Sequence, residues 1–335
     1  MRILSVTLIL LLQACERSAN SKTMTNPIAQ ESLVSPGLEV SAGITRQALF
    51  GDLHVHTMYS FDAFIFGTVA SPDMAYEFAK GASIKHPGGF EMKLREPLDF
   101  YAITDHASYM GSLKAMTDPS TEISKHQLAE GMQDLSSAEK RLAQFRKILD
   151  FLATDQREEL IDEAVFRNAW DDIKSAAERH NDPGYFTTFV AYEYTPFSGE
   201  LENLHRNVIF SGVGPSLPFS ILDSTNPEDL WLWMDEQRSQ GVEGLAIPHN
   251  SNVSNGKMFD LIDFAGNPLD SAYADLRARN EPLVEISQVK GTSETHPTLS
   301  PNDEWADFEI INTRLASDLP SEPEGSYIRE ALKNG

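Results

Sequence analysis

Histidines with acidic neighbours recur at a few places in this chain, and these are the places where chemistry is possible. In Phe50-Gly51-Asp52-Leu53-His54-Val55-His56-Thr57 two histidines alternate with a valine. Residues two apart on a strand point to one face, so His54 and His56 share a face with roughly 7 Å between their Cα atoms. Two neutral imidazoles on one face at a strand end can hold a metal ion, and Asp52 and Asp62 stand close in sequence. Asp105 and His106, Glu193, and His249 each end or follow a further apolar run. Core histidines would be scattered with respect to strand ends, and these are not. The chain carries no Gly-x-Ser-x-Gly elbow and no Gly-rich phosphate loop, so a metal-activated water is the nucleophile the pattern favours.

The elements that must position these residues alternate between strand and helix. Strands are predicted over 49–54, 98–104, 187–193, 207–211, 244–248, 283–287 and 308–312, the first read as buried through Ala48, Leu49 and Phe50. Ser71-Pro72-Asp73 opens a helix with Ser71 as N-cap, and Gly81 stops it. Residues 82–97 read as a polar excursion around Gly88-Gly89, with His86 exposed. A helical insertion spans about 108–184, where Leu142, Phe145, Ile148, Leu149 and Leu152 have helical spacing, as do Ala169, Ile173, Ala176 and Ala177. His126 and His180 lie on it, and His180 in a last turn suits the helix dipole better than a metal. Asn226-Pro227 opens another helix that Gly241 stops, and 273–279 reads as a short one. This alternation argues for an α/β fold with a largely parallel sheet or barrel, in which the C-terminal strand ends carry the site.

The formal net charge of −23 repels nucleic acid and anionic lipid, so neither is an expected partner. A small anionic substrate remains compatible if metal ions reverse the field locally. Arg2 and the apolar run 3–12 lead into Leu12-Gln13-Ala14-Cys15, which resembles a bacterial lipoprotein signal with Cys15 lipidated. Residues 1–15 are thus expected to be the signal, 16–45 a flexible tether, and 46–335 the globular domain. Glu16 after the cysteine favours the outer membrane, so the expected location is the periplasmic face of that membrane, with Cys15 as the only membrane attachment. Cys15 is the single cysteine, which excludes an intrachain disulfide and a Cys-ligated zinc site.

The order His54-x-His56, Thr104-Asp105-His106, Tyr192-Glu193, His205 and Pro248-His249-Asn250 resembles the PHP (polymerase and histidinol phosphatase) superfamily. Gly51-Asp52-Leu53-His54-Val55-His56-Thr57, Ser60-Phe61-Asp62-Ala63, Ala246-Ile247-Pro248-His249-Asn250 and Glu294-Thr295-His296-Pro297 are closer still to the DUF3604 family. The resemblance implies a distorted (β/α)7 barrel holding two or three divalent ions, manganese, iron or zinc. By the same resemblance His54 and His56 bind a first ion, Glu193 bridges, His205 and His249 hold a second, and His106 with Asp62 serves a third. Many superfamily members have His where this chain has Asp62, an oxygen donor that tilts preference toward manganese or iron. Asp105 is either a ligand or an orienting partner for a histidine. Arg206, Lys257 and Lys290 are each either an anion-pairing group or a surface cation. His296 is open between ligand, substrate contact and loop anchor. Superfamily members also carry a late Asp-x-His, and nothing after His249 reads so. The expectation is therefore an N-terminal portion of a longer family member, with an incomplete barrel. The function expected is hydrolysis of a phosphate ester or related anionic ester by a metal-bridging hydroxide. An amide or sulfate ester hydrolase, and an inactive metal-binding lipoprotein, are the alternatives. The residues do not speak to oligomeric state.

Overall fold

A computed structural model describes residues 46–196, 202–315 and 317–334. The lipoprotein signal, Cys15 and the tether lie outside these residues. Strand β1 (Gly51–Asp52) is followed by helices α1 (Phe61–Ile65) and α2 (Pro72–Ala79), a small hairpin of β2 (Ile84–Lys85) and β3 (Glu91–Met92), and β4 (Phe100–Ala102). Next come α3 (Ser112–Ala115), α4 (Ala129–Met132), α5 (Ala138–Leu152) and α6 (Glu163–His180), then β5 (Thr187–Tyr194) and β6 (Arg206–Ser211). Helix α7 (Pro227–Ser239), β7 (Glu243–Pro248), α8 (Ser271–Asn280), the hairpin β8 (Ser287–Gln288) and β9 (Gly291–Thr292), and α9 (Ile328–Asn334) complete the order.

The main sheet runs β1-β4-β5-β6-β7. β1, β4 and β5 are parallel, as their long helical crossovers require, whereas β5–β6 and β6–β7 are antiparallel. The sheet is open at both edges and does not close into a barrel. Two expected late strands are missing among the described residues. Over 283–287 only Ser287 enters a strand, and 308–312 has none, with Leu283, Ile286 and Phe308 all exposed. The first strand also shrinks to Gly51–Asp52, and Leu49 and Phe50 are exposed rather than buried, because β1 is the sheet edge. Gly51 is required there, since a Cβ would sit 2.2 Å from the Phe100 ring.

Side-chain alternation sorts the sheet into two faces. Val190, Tyr192 and Tyr194 of β5, Val208 and Phe210 of β6, and Ala246 of β7 pack into the main core with Trp170, Ile173 and Ala177 of α6. Helix α6 is set by its Asp162 N-cap, whose carboxylate accepts from the Ala164 and Val165 N–H groups. The opposite face holds a small layer of Ala102, Ala191, Ile209 and Ile247. A second core, with Leu113, Met116, Ile148, Leu152 and Leu160, lies within the helical insertion. The insertion and the helices at 72–79, 227–239 and 271–280 thus match the sequence periodicity. His180 ends α6, stacks on Tyr76 and pairs with Asp73, apart from the sheet end that gathers the other histidines.

Candidate metal centre

The strand phase of β5 dictates where the site lies. Glu193 shares the face of Ala191 and is 1% exposed. The β6–β7 register pairs Arg206 with Pro248, which sets His205 opposite His249, and the His249 N–H donates to the His205 carbonyl at 3.3 Å. Because β6 runs antiparallel, His205 enters from the N-terminal end of its strand while His249 leaves the C-terminal end of β7. The two nonetheless meet at one end of the sheet.

Glu193 is the common partner. Its Oε1 is 2.8 Å from His205 Nδ1, 3.3 Å from His249 Nε2 and 3.4 Å from His106 Nδ1. Its Oε2 is 3.2 Å from His56 Nε2 and 3.6 Å from His54 Nε2. Asp62 Oδ1 lies 3.3 Å from His106 Nε2. For bonds of about 2.1 Å, two ligand atoms of a tetrahedral ion stand about 3.4 Å apart. The observed spacings are of that size. Three overlapping groups converge closely enough to hold an ion: His54, His56 and Glu193; His56, Asp62 and His106; and Glu193, His205 and His249. All seven residues expected as ligands fall in them. Imidazole and carboxylate together suit zinc, manganese or iron, so this buried cluster fits a divalent metal ion.

Several ring nitrogens are fixed by their outer neighbours. Ser60 Oγ donates to Asp105 Oδ1 at 2.7 Å and accepts the His106 backbone N–H at 3.1 Å. His56 Nδ1 at 2.8 Å must then donate to that same oxygen, leaving the Nε2 lone pair toward Glu193. Glu285 Oε2 accepts from His54 Nδ1 at 2.9 Å and does the same for that ring. His106 Nδ1 meets Thr195 Oγ1 at 2.6 Å, leaving Nε2 toward Asp62.

The charges follow from burial set against pairing. Burial would raise Glu193, but the positive charge of His106 and hydrogen bonds from His205 and His249 hold it well below the usual carboxylate range. Burial would lower His54, yet Glu193 and Glu285 lift it to about 9. Burial also opposes a proton on His106, which Glu193 and Asp62 nevertheless raise. On His205 and His249 burial prevails, and His249 falls to about 3, so these two prefer the neutral, ligating form. Burial would raise Asp62, but His106 and His56 hold it below its ordinary value.

Asp105, Arg206 and His296, expected at the site beside the seven ligands, are placed otherwise. Asp105 accepts from the Thr57 N–H at 2.6 Å, the Thr57 hydroxyl at 2.5 Å and Ser60. It therefore touches no histidine ring, and it acts on His56 only through Ser60. Burial pushes its carboxyl upward against these donors and the charge of His56. Arg206, neighbour to His205, points to the other face of β6, where its Nε lies 2.6 Å from Glu281 Oε1 with both side chains 2% exposed. It is neither a surface cation nor open to a substrate. His296 contacts Thr298 Oγ1 at 2.7 Å and Asn312 Oδ1 at 3.1 Å and lies tilted against the Tyr327 ring, the part of a loop anchor. Lys257 pairs with Asp260. Sequence reasoning missed Glu285, Ser60 and Thr195. The one available signal was an acid inside the apolar run Leu283-Val284-Glu285-Ile286, where a strand would have had to leave it unpaired.

A family model described as "Protein of unknown function (DUF3604)" matches residues 44–335. No curated protein and no solved structure matches the chain.

Proposed function

Since the chain belongs to the DUF3604 family, whose description assigns no activity, we propose from the site's own chemistry that it is a metal-dependent hydrolase of a phosphate ester or related anionic ester. One observation carries this reading: the buried Glu193 carboxylate faces ring nitrogens on both of its oxygens. His54 and His56 with Oε2 would hold one ion, and His205 and His249 with Oε1 a second. His106 and Asp62 complete the set for a third, the arrangement expected of a PHP-type centre. Ions held there supply a water of lowered pKa and neutralise charge on the ester. The protein's share is to present neutral imidazoles, to keep Glu193 ionised, and to lock His54 and His56 through Glu285 and Ser60. Residues 1–15, read as a lipoprotein signal, would place this activity at the bacterial envelope. Among the described residues no helix is long and apolar enough to cross a membrane.

The test is turnover by full-length protein loaded in turn with manganese, iron or zinc, on chromogenic phosphate, sulfate and amide substrates. Turnover of the phosphate ester, lost together with tight metal binding in Glu193→Gln, is the expected result. Turnover of only the sulfate or amide moves the reaction class, and metal uptake with no turnover of any substrate refutes the hydrolase reading.

A further inference from the structure

The β8–β9 hairpin lies against the metal cluster. Gln288 pairs with Gly291, so Val289 and Lys290 form its two-residue turn. On one side Gln288 Nε2 is 2.5 Å from Glu285 Oε1 and 3.5 Å from His54 Nδ1. On the other, Asn252, three residues beyond His249, donates its side-chain N–H to the Lys290 carbonyl at 3.0 Å. The turn is therefore pinned by its backbone between the loops that carry His54 and His249. Val289 is 88% exposed, while Lys290 is half-buried. The Lys290 side chain forms no hydrogen bond and no ion pair among the described residues. The other two cations considered for an anion are already bound, Arg206 by Glu281 and Lys257 by Asp260.

We propose that Lys290 Nζ is the anion-recognising group of this site, pairing with a non-bridging oxygen of a phosphate-type group held over Glu193. The inference rests on the hydrolase reading for its substrate class but not for its test. A half-buried lysine with no side-chain partner among the described residues thus stands on a turn beside the histidine cluster. An incoming anion supplies that partner. It also gives the site a preference for charged esters over neutral ones with the same leaving group.

The probe is inorganic phosphate, titrated calorimetrically into metal-loaded full-length protein. Lys290→Ala should weaken phosphate binding about 10- to 100-fold, the range for a charge-assisted hydrogen bond. Metal content should stay unchanged, and Lys290→Arg should recover most of the loss. Lys290→Met, which keeps the apolar stem, should behave like alanine and separates packing from charge. Equal phosphate affinity in wild type and Lys290→Ala overturns the proposal, whatever the enzyme assays show. Failure of the metal-loaded wild type to bind phosphate overturns it too. If Lys290→Ala loses phosphate while wild type turns over no ester, the hydrolase reading falls and the Lys290 assignment stands.

Discussion

Replacing Ser60 by alanine tests whether the site is tuned from outside its ligands. Ser60 is fully buried, and its one oxygen serves three partners: it donates to Asp105 and accepts from the His106 N–H and from His56 Nδ1. Alanine leaves each with one bond fewer. An unsatisfied buried group costs roughly 1–3 kcal/mol. Asp105 keeps its two Thr57 donors and the partly exposed His56 can turn to water, so both fall at the low end. The His106 N–H has no such recourse. The sum is roughly 4–5 kcal/mol, which for a domain of this size, with an unfolding entropy of about 0.6 kcal/mol/K, lowers Tm by about 7–8 °C. Freed from Ser60, His56 can also take the tautomer that protonates Nε2, and loss of such an orienting partner weakens metal binding about 10- to 100-fold. Urea unfolding of the chelator-treated protein reads the first effect, and competition for zinc against a chelating dye reads the second. A destabilised Ser60→Ala that binds zinc within about twofold of wild type would refute the tautomer argument. No change in either quantity would refute the hydrogen-bond network itself.

Two further outcomes follow from the same charges. Glu281→Gln removes one partner from the buried Arg206 pair and should cost about 3–5 kcal/mol in urea unfolding, with zinc affinity unchanged; a loss under about 1 kcal/mol would show that Arg206 finds another partner. His54 rises from 6.5 in the unfolded chain to about 9 when folded, so its contribution is fully present below about pH 6.5 and fades as pH climbs through 9. Metal uptake at pH 7.5 must displace that proton, and calorimetry in buffers of different ionisation enthalpy should find about one proton released per chain from this ring. Release that is identical in His54→Gln would contradict the assignment.

His54, His56, His106, Glu193 and His249 were legible in the sequence because each ends or follows a run of apolar residues, and the sheet delivers those ends to one place. His205 and Asp62 end no such run and were named only through the family resemblance. The strand direction was not legible. Asn207 to Ser211 alternates alike whether β6 runs parallel or antiparallel, so the expected barrel became an open mixed sheet. Arg206 was misjudged because adjacency in sequence suggested a shared site, whereas adjacent strand residues face opposite ways. Glu285 was hidden because its partner His54 lies 231 positions away, a separation no local pattern reports. The exposed Leu283, Ile286 and Phe308 carry strand-like composition without strand pairing, a reminder that such composition reflects fit to a neighbour more than backbone preference.

The reversal at β6 has a mechanical consequence. Glu193, His205 and His249 belong to one antiparallel meander, whereas His54, His56, Asp62 and His106 come from the parallel half. Those halves are joined in the sheet by the register of Phe100, Tyr101 and Ala102 against Thr187, Thr188 and Phe189 and, nearer the centre, by a bridge between His106 and Glu193. Ions shared through Glu193 would rivet that seam. Their removal should loosen amide hydrogen exchange at β1 and β4 more than at the β6–β7 ladder, which carries its own continuous pairing. The centre would thus serve as a fastener of the fold as well as its reactive end.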